Sequence, residues 1–582
     1  MNDGLLNVGN ITLISSSDLS SDADNVDGRG GLVGHLVKGV LRIHGTTDLS
    51  GQRITTAYHH VGQIVGNNDD GLVYALGNGN GLNADGSGWS LARYTGADRG
   101  GSDIGNWGAV IRLGDKLSEG SEGVFTFDQD AHTVQVHNGT GSELGSANAF
   151  AAYLLAFDLS KAYKGGNSAA LSFANRVDAA NRQTVTLTGD IDLTGTGILG
   201  IGKDNIEKGA TAQEFAGTLN GNSHTITLDI GTTYGANVSG TEKNAAGQLY
   251  AKRSDQRDAH YSLAMIPFAG DVTIQNLTIA GTVACRVPQN VNEEENSGDI
   301  RYPAFVSAAI GLASGTTDFE NVTVNTKVSV AEEAVAKKLH VWQAGFLGRC
   351  EGKALTFQNC NWGSESTLTD ERTTENQRIG GLAAEVMGGC VVSVDACTLS
   401  GSIISKSDSN AKVGGLIAVS RGEAQNGTTP ADTTITISNL QVKKENIDTT
   451  GAKNTSGGLL GYQWKNTNVV FAASADNTTA SESGVTISGA ILHANAQFGG
   501  LVYQATGYWN ATAANSIVFK TEDKATNFTG KSTKNATSGL LVGTGLIKVA
   551  QSENVESALY LEEVHGEMLP MLPIRLAIIG NA

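Results

Sequence analysis

Apolar and polar residues alternate along most of this chain in short runs whose period is two, the period of a strand. Clear runs are DVTIQNLTIAGTV at 271–283, TDFENVTVNTKVS at 317–329, ALTFQNCNW at 354–362, CVVSVDACTLSGSI at 390–403 and TTITISNLQV at 433–442. In such runs, residues at i and i+2 share one face, so the aliphatic side chains face an interior while Thr and Ser face water. A second signal punctuates the first. A Gly-Gly-Leu-like phrase returns as GGLVG from Gly30, GFLG from Gly345, GGLAA from Gly380, GGLIA from Gly414, GGLLG from Gly457, GGLVY from Gly499 and SGLLVG from Ser538. The glycine before the apolar pair falls at 345, 381, 415, 458, 500 and 539, giving spacings of 36, 34, 43, 42 and 39. A constant strand core with loops of varying length produces that irregularity, and a stack of such units is a solenoid. The fold class expected is all-β, a parallel β-helix in which each strand pairs with its copy in the next coil, roughly 4.8 Å away.

This architecture assigns tasks to particular residues. The repeat glycines suit sharp corners at positive φ. Asn276, Asn321 and Asn359 recur at matching places in the strands. They would either form a side-chain ladder from coil to coil or mark a turn. Cys360 and Cys397 occupy the equivalent phrases QNC and DAC, which places them in neighbouring coils as buried thiols, with a disulfide as the alternative. The run 146–163 has helical spacing at Phe150, Leu154 and Phe157, with Ser146 a candidate N-cap, and 168–181 carries Leu171, Phe173 and Val177. A short helical cap or junction near 146–181 would separate an N-terminal block, 1–143, from a main β-helix, 184–550, followed by a tail, 551–582. A helix across a coil end would shield its strand edges.

Composition narrows the picture. The 582 residues hold 75 Gly but only 6 Pro, which argues against a Pro-rich stalk or linker. Lys and Arg number 40 against 58 Asp and Glu, so the net charge is −18, and nucleic acid and anionic membrane are disfavoured partners. Five cysteines, Cys285, Cys350, Cys360, Cys390 and Cys397, are too few for a disulfide scaffold, and none shows CxxC spacing. No run approaches the ~20 apolar residues of a membrane span, and the first residues lack a basic and then apolar leader. The expectation is that an export signal and anchor lie outside this chain.

Residues 184–230 carry a DIDL strand, Asp190-Ile191-Asp192-Leu193, then Phe215, Gly217, Thr218, Gly221, Asn222, His224, Thr225 and Ile226 in the pattern FxGTxxGNxHTI. That arrangement, with Phe173–Val177 ahead of it and the Gly-Leu phrases behind it, resembles the β-helical repeats of GLUG-motif, adhesin-like bacterial surface proteins. The resemblance covers 168–545, and 28–115 more loosely. It implies a right-handed, pectin-lyase-like coil, an extracellular or cell-surface location, and an adhesion or scaffold role with a host or neighbouring-cell glycan or protein as partner. Ser223 departs from the pattern, where a GNG turn has its last glycine.

Parallel β-helices also carry polysaccharide lyases and glycoside hydrolases, so an enzyme or a tailspike-like glycan binder is the alternative. Glycoside hydrolysis needs two carboxylates across the substrate. The hydrolases' NTD, DD and GHG set is not recognisable here, and Asp190 and Asp192 read as solvating one strand. The acidic stretches 21–27, 83–88 and 293–295 could hold calcium, yet each falls short of a full ligand set; no other cofactor or metal site is expected. His59-His60 matches no zinc pattern. Tyr462, Trp464, Tyr503, Tyr508 and Trp509 follow the Gly-Leu phrase in adjacent repeats and are the candidate ligand-binding residues. They would form an exposed glycan platform or an aromatic stack at a corner. The expected function is non-enzymatic, an adhesin or scaffold segment whose loops bind a glycan or protein.

Overall fold

In the computed structural model, the described residues are 184–194, 215–230, 251–254, 259–285, 302–330, 339–371, 377–406, 411–423, 430–443, 446–449, 455–472, 484–488, 491–494 and 497–506. Strand segments between 5 and 144, at 172–173 and from 508 to 578 complete them. All regular structure among these residues is strand. The helical expectation for 146–163 lies outside the described residues. That for 168–181 meets them only at Ser172–Phe173, which forms a short strand parallel to Thr133–Val134 instead.

One coil defines the repeat: β1 (Gln377–Gly380), β2 (Ala383–Val386), β3 (Val391–Asp395), β4 (Thr398–Leu399) and β5 (Ser402–Ser405). Each strand pairs in parallel with its counterparts in the coils on either side. Thus β2 lies between Leu347–Cys350 and Ile417–Ser420, and β3 between Ala354–Gln358 and Thr433–Ser438. The copies of β1 form their own nine-stranded sheet, parallel except for its first pair, Ala251–Ser254 with Ala259–Leu263. Stacked parallel sheets of this kind are a β-solenoid.

The two-residue period is what builds the core. In the copies of β3, Ile274, Phe319, Phe357, Val394, Ile437 and Phe471 stack in register and are all buried, while the residues between them face outward. Phe319 and Phe357 lie face to face at 5.1 Å, and Phe346 meets both edge-on at 5.4 and 5.6 Å, an arrangement that aromatic quadrupoles favour.

The repeat glycines are a correction to expectation: none of those described sits at positive φ. Steric approach selects them instead. A Cβ on Gly380, Gly414 or Gly457 would overlap the carbonyl oxygen of Ala383, Ile417 or Leu460, because the chain folds back on itself between β1 and β2. The left-handed corners, between β3 and β4, belong to Asn276, Asn321, Asn359, Ala396 and Asn439, with φ of 50–53°. Asn tolerates that region best among non-glycine residues. These asparagines are both turn and ladder: Asn321 Nδ2 donates to Asn276 Oδ1 at 3.0 Å, and Asn276 Nδ2 donates to Asn220 Oδ1 at 3.3 Å. Ser223 keeps the irregular turn with φ of 67°, beside Asn222 at 50°. Ala396 interrupts the asparagines, in a column that Ser223 and Gly484 extend. Ala396→Gly should therefore stabilise by roughly 1 kcal/mol, the cost of a Cβ in the left-handed region. Ala396→Asn should do the same with a ladder partner on each side. The check is hydrogen exchange at Thr398 and Gln441; unchanged or faster exchange in both variants would sink the idea.

The N-terminal strands repeat the same corner. Arg29–Gly30 pairs with Val61–Gly62, and Val33–Asp48 pairs with Val65–Leu76, so VGQIV at 61–65 is a degenerate copy of the Gly-Gly-Leu phrase. Sequence reading missed it because Gln63 replaces the second glycine.

Candidate functional site: a notch between two sheets

Because β1 and β2 meet at a tight glycine corner, their outward faces look at each other across a notch running along the solenoid. On the β1 side the register stacks Phe305, Trp342, Arg378, Lys412 and Thr455. On the β2 side it stacks Leu312, Arg349, Glu385, Val419, Tyr462 and Gln504. The notch changes character along its length. At one end Phe268, Phe305, Leu312, Trp342, Ala344 and Ala384 form a hydrophobic cluster separate from the main core, with Phe305 and Trp342 5.6 Å apart.

The middle is ionic. Glu385 is 1% exposed and contacts three guanidiniums from three successive coils. Arg378 and Arg421 pair with it closely, and Arg349 Nε lies 3.7 Å from Oε2. Arg349 also bonds Glu351 at 3.0 Å. Burial alone would raise the Glu385 carboxyl, but Arg378, Arg421 and Arg349 outweigh it and bring it down to about 2. Burial lowers Arg378 to about 10 despite the attraction of Glu385. Lys412 falls to about 8 through burial and the repulsion of Arg378 and Arg421, which Glu385 offsets in part.

Aromatic rings flank these cations. Arg378 stacks on Trp342 at 4.5 Å, Arg421 on Trp464 at 5.0 Å, and the Lys412 ammonium lies 5.5 Å from the Tyr462 ring. Such contacts stabilise cations that have lost part of their water. Tyr462 and Trp464 are 5.5 Å apart and tilted by 49°. Burial also raises the Tyr462 hydroxyl.

The five candidate aromatics therefore separate. Tyr462 and Trp464 share the notch, half-buried, beside Lys412 and Arg421. Tyr503 is buried and falls beside Gly461, because the register pairs Tyr462 with Gln504; the two tyrosines are not equivalent rungs of one stack. Tyr508 and Trp509 start the next copy of β3, paired with Asn468 and Val469, and their side chains lie outside the described residues. Asp190 and Asp192 are both exposed and have structural partners. Asp190 accepts from the backbone N–H of Thr225 at 2.9 Å, tying one coil to the next. Asp192 accepts from the Thr194 hydroxyl and backbone N–H, which lowers its pKa. The acidic stretches 21–27, 83–88 and 293–295 lie outside the described residues. Among the described residues no group of three or more His, Cys, Asp or Glu is placed to hold a metal ion.

Four of the five cysteines form two inter-coil pairs. Cys360 and Cys397 are in register and buried as free thiols, each donating to a core carbonyl, Phe319 O at 3.3 Å and Phe357 O at 3.4 Å. Cys350 and Cys390 lie 3.6 Å apart, a pair that sequence spacing did not reveal. Hydrogen bonding to Cys350 and burial raise the Cys390 thiol, and the same two causes, with Cys360 as partner, raise Cys397. Thiols held protonated are poor nucleophiles. Ellman's reagent should label none of the five cysteines in the folded chain and all five after unfolding. Fewer than five after unfolding would mean that a pair has closed as a disulfide.

Comparison with family models, with curated proteins and with solved structures returns no match.

Proposed function

We propose that this chain is a segment of an extracellular or cell-surface bacterial protein, a non-enzymatic adhesin or scaffold of the GLUG-motif type, that binds a glycan or protein in the notch between β1 and β2. In this reading the solenoid is right-handed, as parallel crossovers are in nearly all proteins. The observation that carries the proposal is the notch itself: partly exposed aromatic and guanidinium side chains converge there from successive coils of a rigid scaffold. Flat rings and planar cations are the groups that recognise sugars and interfaces, and Trp, Tyr and Arg dominate binding hot spots. A glycosidase acid must hold a proton near neutral pH, a role that Glu385, held ionised by three guanidiniums, does not fit.

A broad glycan array, run beside activity assays on the same polysaccharides, tests this. Binding without release of product, lost in Trp464→Ala, is the expected result. Release of oligosaccharides would overturn the non-enzymatic reading. Binding that Trp464→Ala leaves intact would move the site elsewhere on the solenoid.

A further inference from the structure

The ionic stretch of the notch says more about the ligand, given the binding role proposed above. The described side chains there carry four positive charges, Arg349, Arg378, Lys412 and Arg421, against two negative ones, Glu351 and Glu385. The chain as a whole carries −18, so this concentration of cations runs against the general surface. A single buried carboxylate needs one good guanidinium partner, not three. Nor is the cluster sealed: Arg378 keeps 16% and Arg421 21% of its side-chain surface exposed. Beside the cations stand Tyr462 and Trp464, tilted rings of the kind that pack against sugar faces.

We infer that the notch from Arg378 to Trp464 binds an acidic glycan, its carboxylate or sulfate groups held by Arg378, Lys412 and Arg421 while a neighbouring sugar packs on Tyr462 and Trp464. Guanidinium forks match the planar geometry of a carboxylate and the oxygens of a sulfate. Successive coils repeat the cations at the spacing of stacked strands, roughly 4.8 Å, which is close to the length of one sugar unit. An acidic peptide would satisfy the cations but leave the rings without flat partners, so the glycan is the occupant that uses both sets of groups.

The test uses the full chain and four immobilised probes: a sulfated polysaccharide, a polyuronate, a neutral polysaccharide and poly-glutamate. Binding to one or both acidic glycans is expected, weakening steeply between about 50 and about 500 mM salt as screening shortens. The two acidic probes separate sulfate from carboxylate as the recognised group. Lys412→Gln and Arg421→Gln, combined, should reduce affinity at least tenfold. Tyr462→Ala should reduce it without changing the salt dependence. Hydrogen exchange at Leu382 and Leu416 establishes that each variant keeps its coils; Lys412→Gln alone, which leaves the Glu385 pairs in place, serves if the double variant does not. Neutral glycan bound as tightly as acidic glycan, or acidic-glycan affinity unchanged in folded Lys412→Gln, overturns the inference and leaves the adhesin reading standing. Poly-glutamate bound as tightly as the acidic glycans overturns the sugar component. No binding to any glycan or protein overturns both readings.

Discussion

Glu385→Ala should cost the coils around it roughly 3–5 kcal/mol, the usual penalty for removing one member of a buried, hydrogen-bonded ion pair. The size follows from what remains rather than from what is lost. Arg378, Arg421 and Arg349, with 12–21% of their side-chain surface exposed, would face one another without the anion that links them. Those three arginines come from three successive coils, so Glu385 acts as an ionic rivet across the stack. Solenoid stability is largely a sum of nearest-neighbour interfaces, and the loss should be local. Hydrogen exchange in Lys412–Gly414 and Ile417–Ser420 should accelerate by two orders of magnitude or more, while Ile226 and Leu228 stay protected. Uniform acceleration along the chain would contradict this picture, and unchanged exchange near Glu385 would show that the arginines find other anions. Glu385→Gln should fall between wild type and Glu385→Ala, because it keeps hydrogen-bond acceptance and gives up charge.

The same residue sets an acid response. Its carboxyl titrates at about 2 in the folded chain, below the ordinary 4.5. A depressed carboxyl contributes stability that is fully present above the unfolded value and is lost as pH falls through the folded one. The protection of these strands should therefore hold at pH 5 and decline between about pH 4.5 and 2. In Glu385→Gln that part of the decline should be missing.

The solenoid was legible in the chain because two independent signals agree: period-two strands and a glycine phrase that recurs at similar distances. The physical reason for the glycines was not legible, since a spacing cannot distinguish a left-handed corner from a close approach. The structure assigns those tasks separately, with Gly380, Gly414 and Gly457 at the close approach and the asparagines at the left-handed turn. The ionic notch was hidden for a different reason. Arg349, Arg378 and Arg421 are 29 and 43 residues apart in sequence, and only the coil register brings them together. Aligning the repeats on their second glycine, however, exposes it. Trp342, Arg378 and Lys412 each lie three residues before that glycine, at 345, 381 and 415. Arg349, Glu385 and Tyr462 lie four after it, and Glu351, Arg421 and Trp464 six after it. The aromatics singled out from the sequence were close to this site, but the charged half went unread because no coil contains all of it.

Trp362→Ala is the other substitution expected to cost roughly 3–5 kcal/mol, this time through packing. Trp362 is the largest fully buried side chain described, and it pairs in register with Val324 and Leu399. Its slot exists because three neighbours lack side chains. A Cβ on Gly345, Gly381 or Gly401 would press into the indole ring at the pyrrole edge, the benzene edge and the ring fusion respectively. Two of those glycines belong to the repeat phrase, so the motif that makes the corner also makes room for the indole of Trp362. Loss of the indole leaves a void walled by backbone, which cannot relax inward without breaking strand register. The indole Nε1, moreover, is buried with no hydrogen-bond partner. Trp362→Phe therefore gives up volume but also removes an unpaired donor, and should cost distinctly less than Trp362→Ala. Exchange rates in Asn361–Trp362 and Thr398–Leu399 would rank the variants. Equal losses for Phe and Ala would show that the indole nitrogen is satisfied by a group such as water, and that the slot is polar rather than dry.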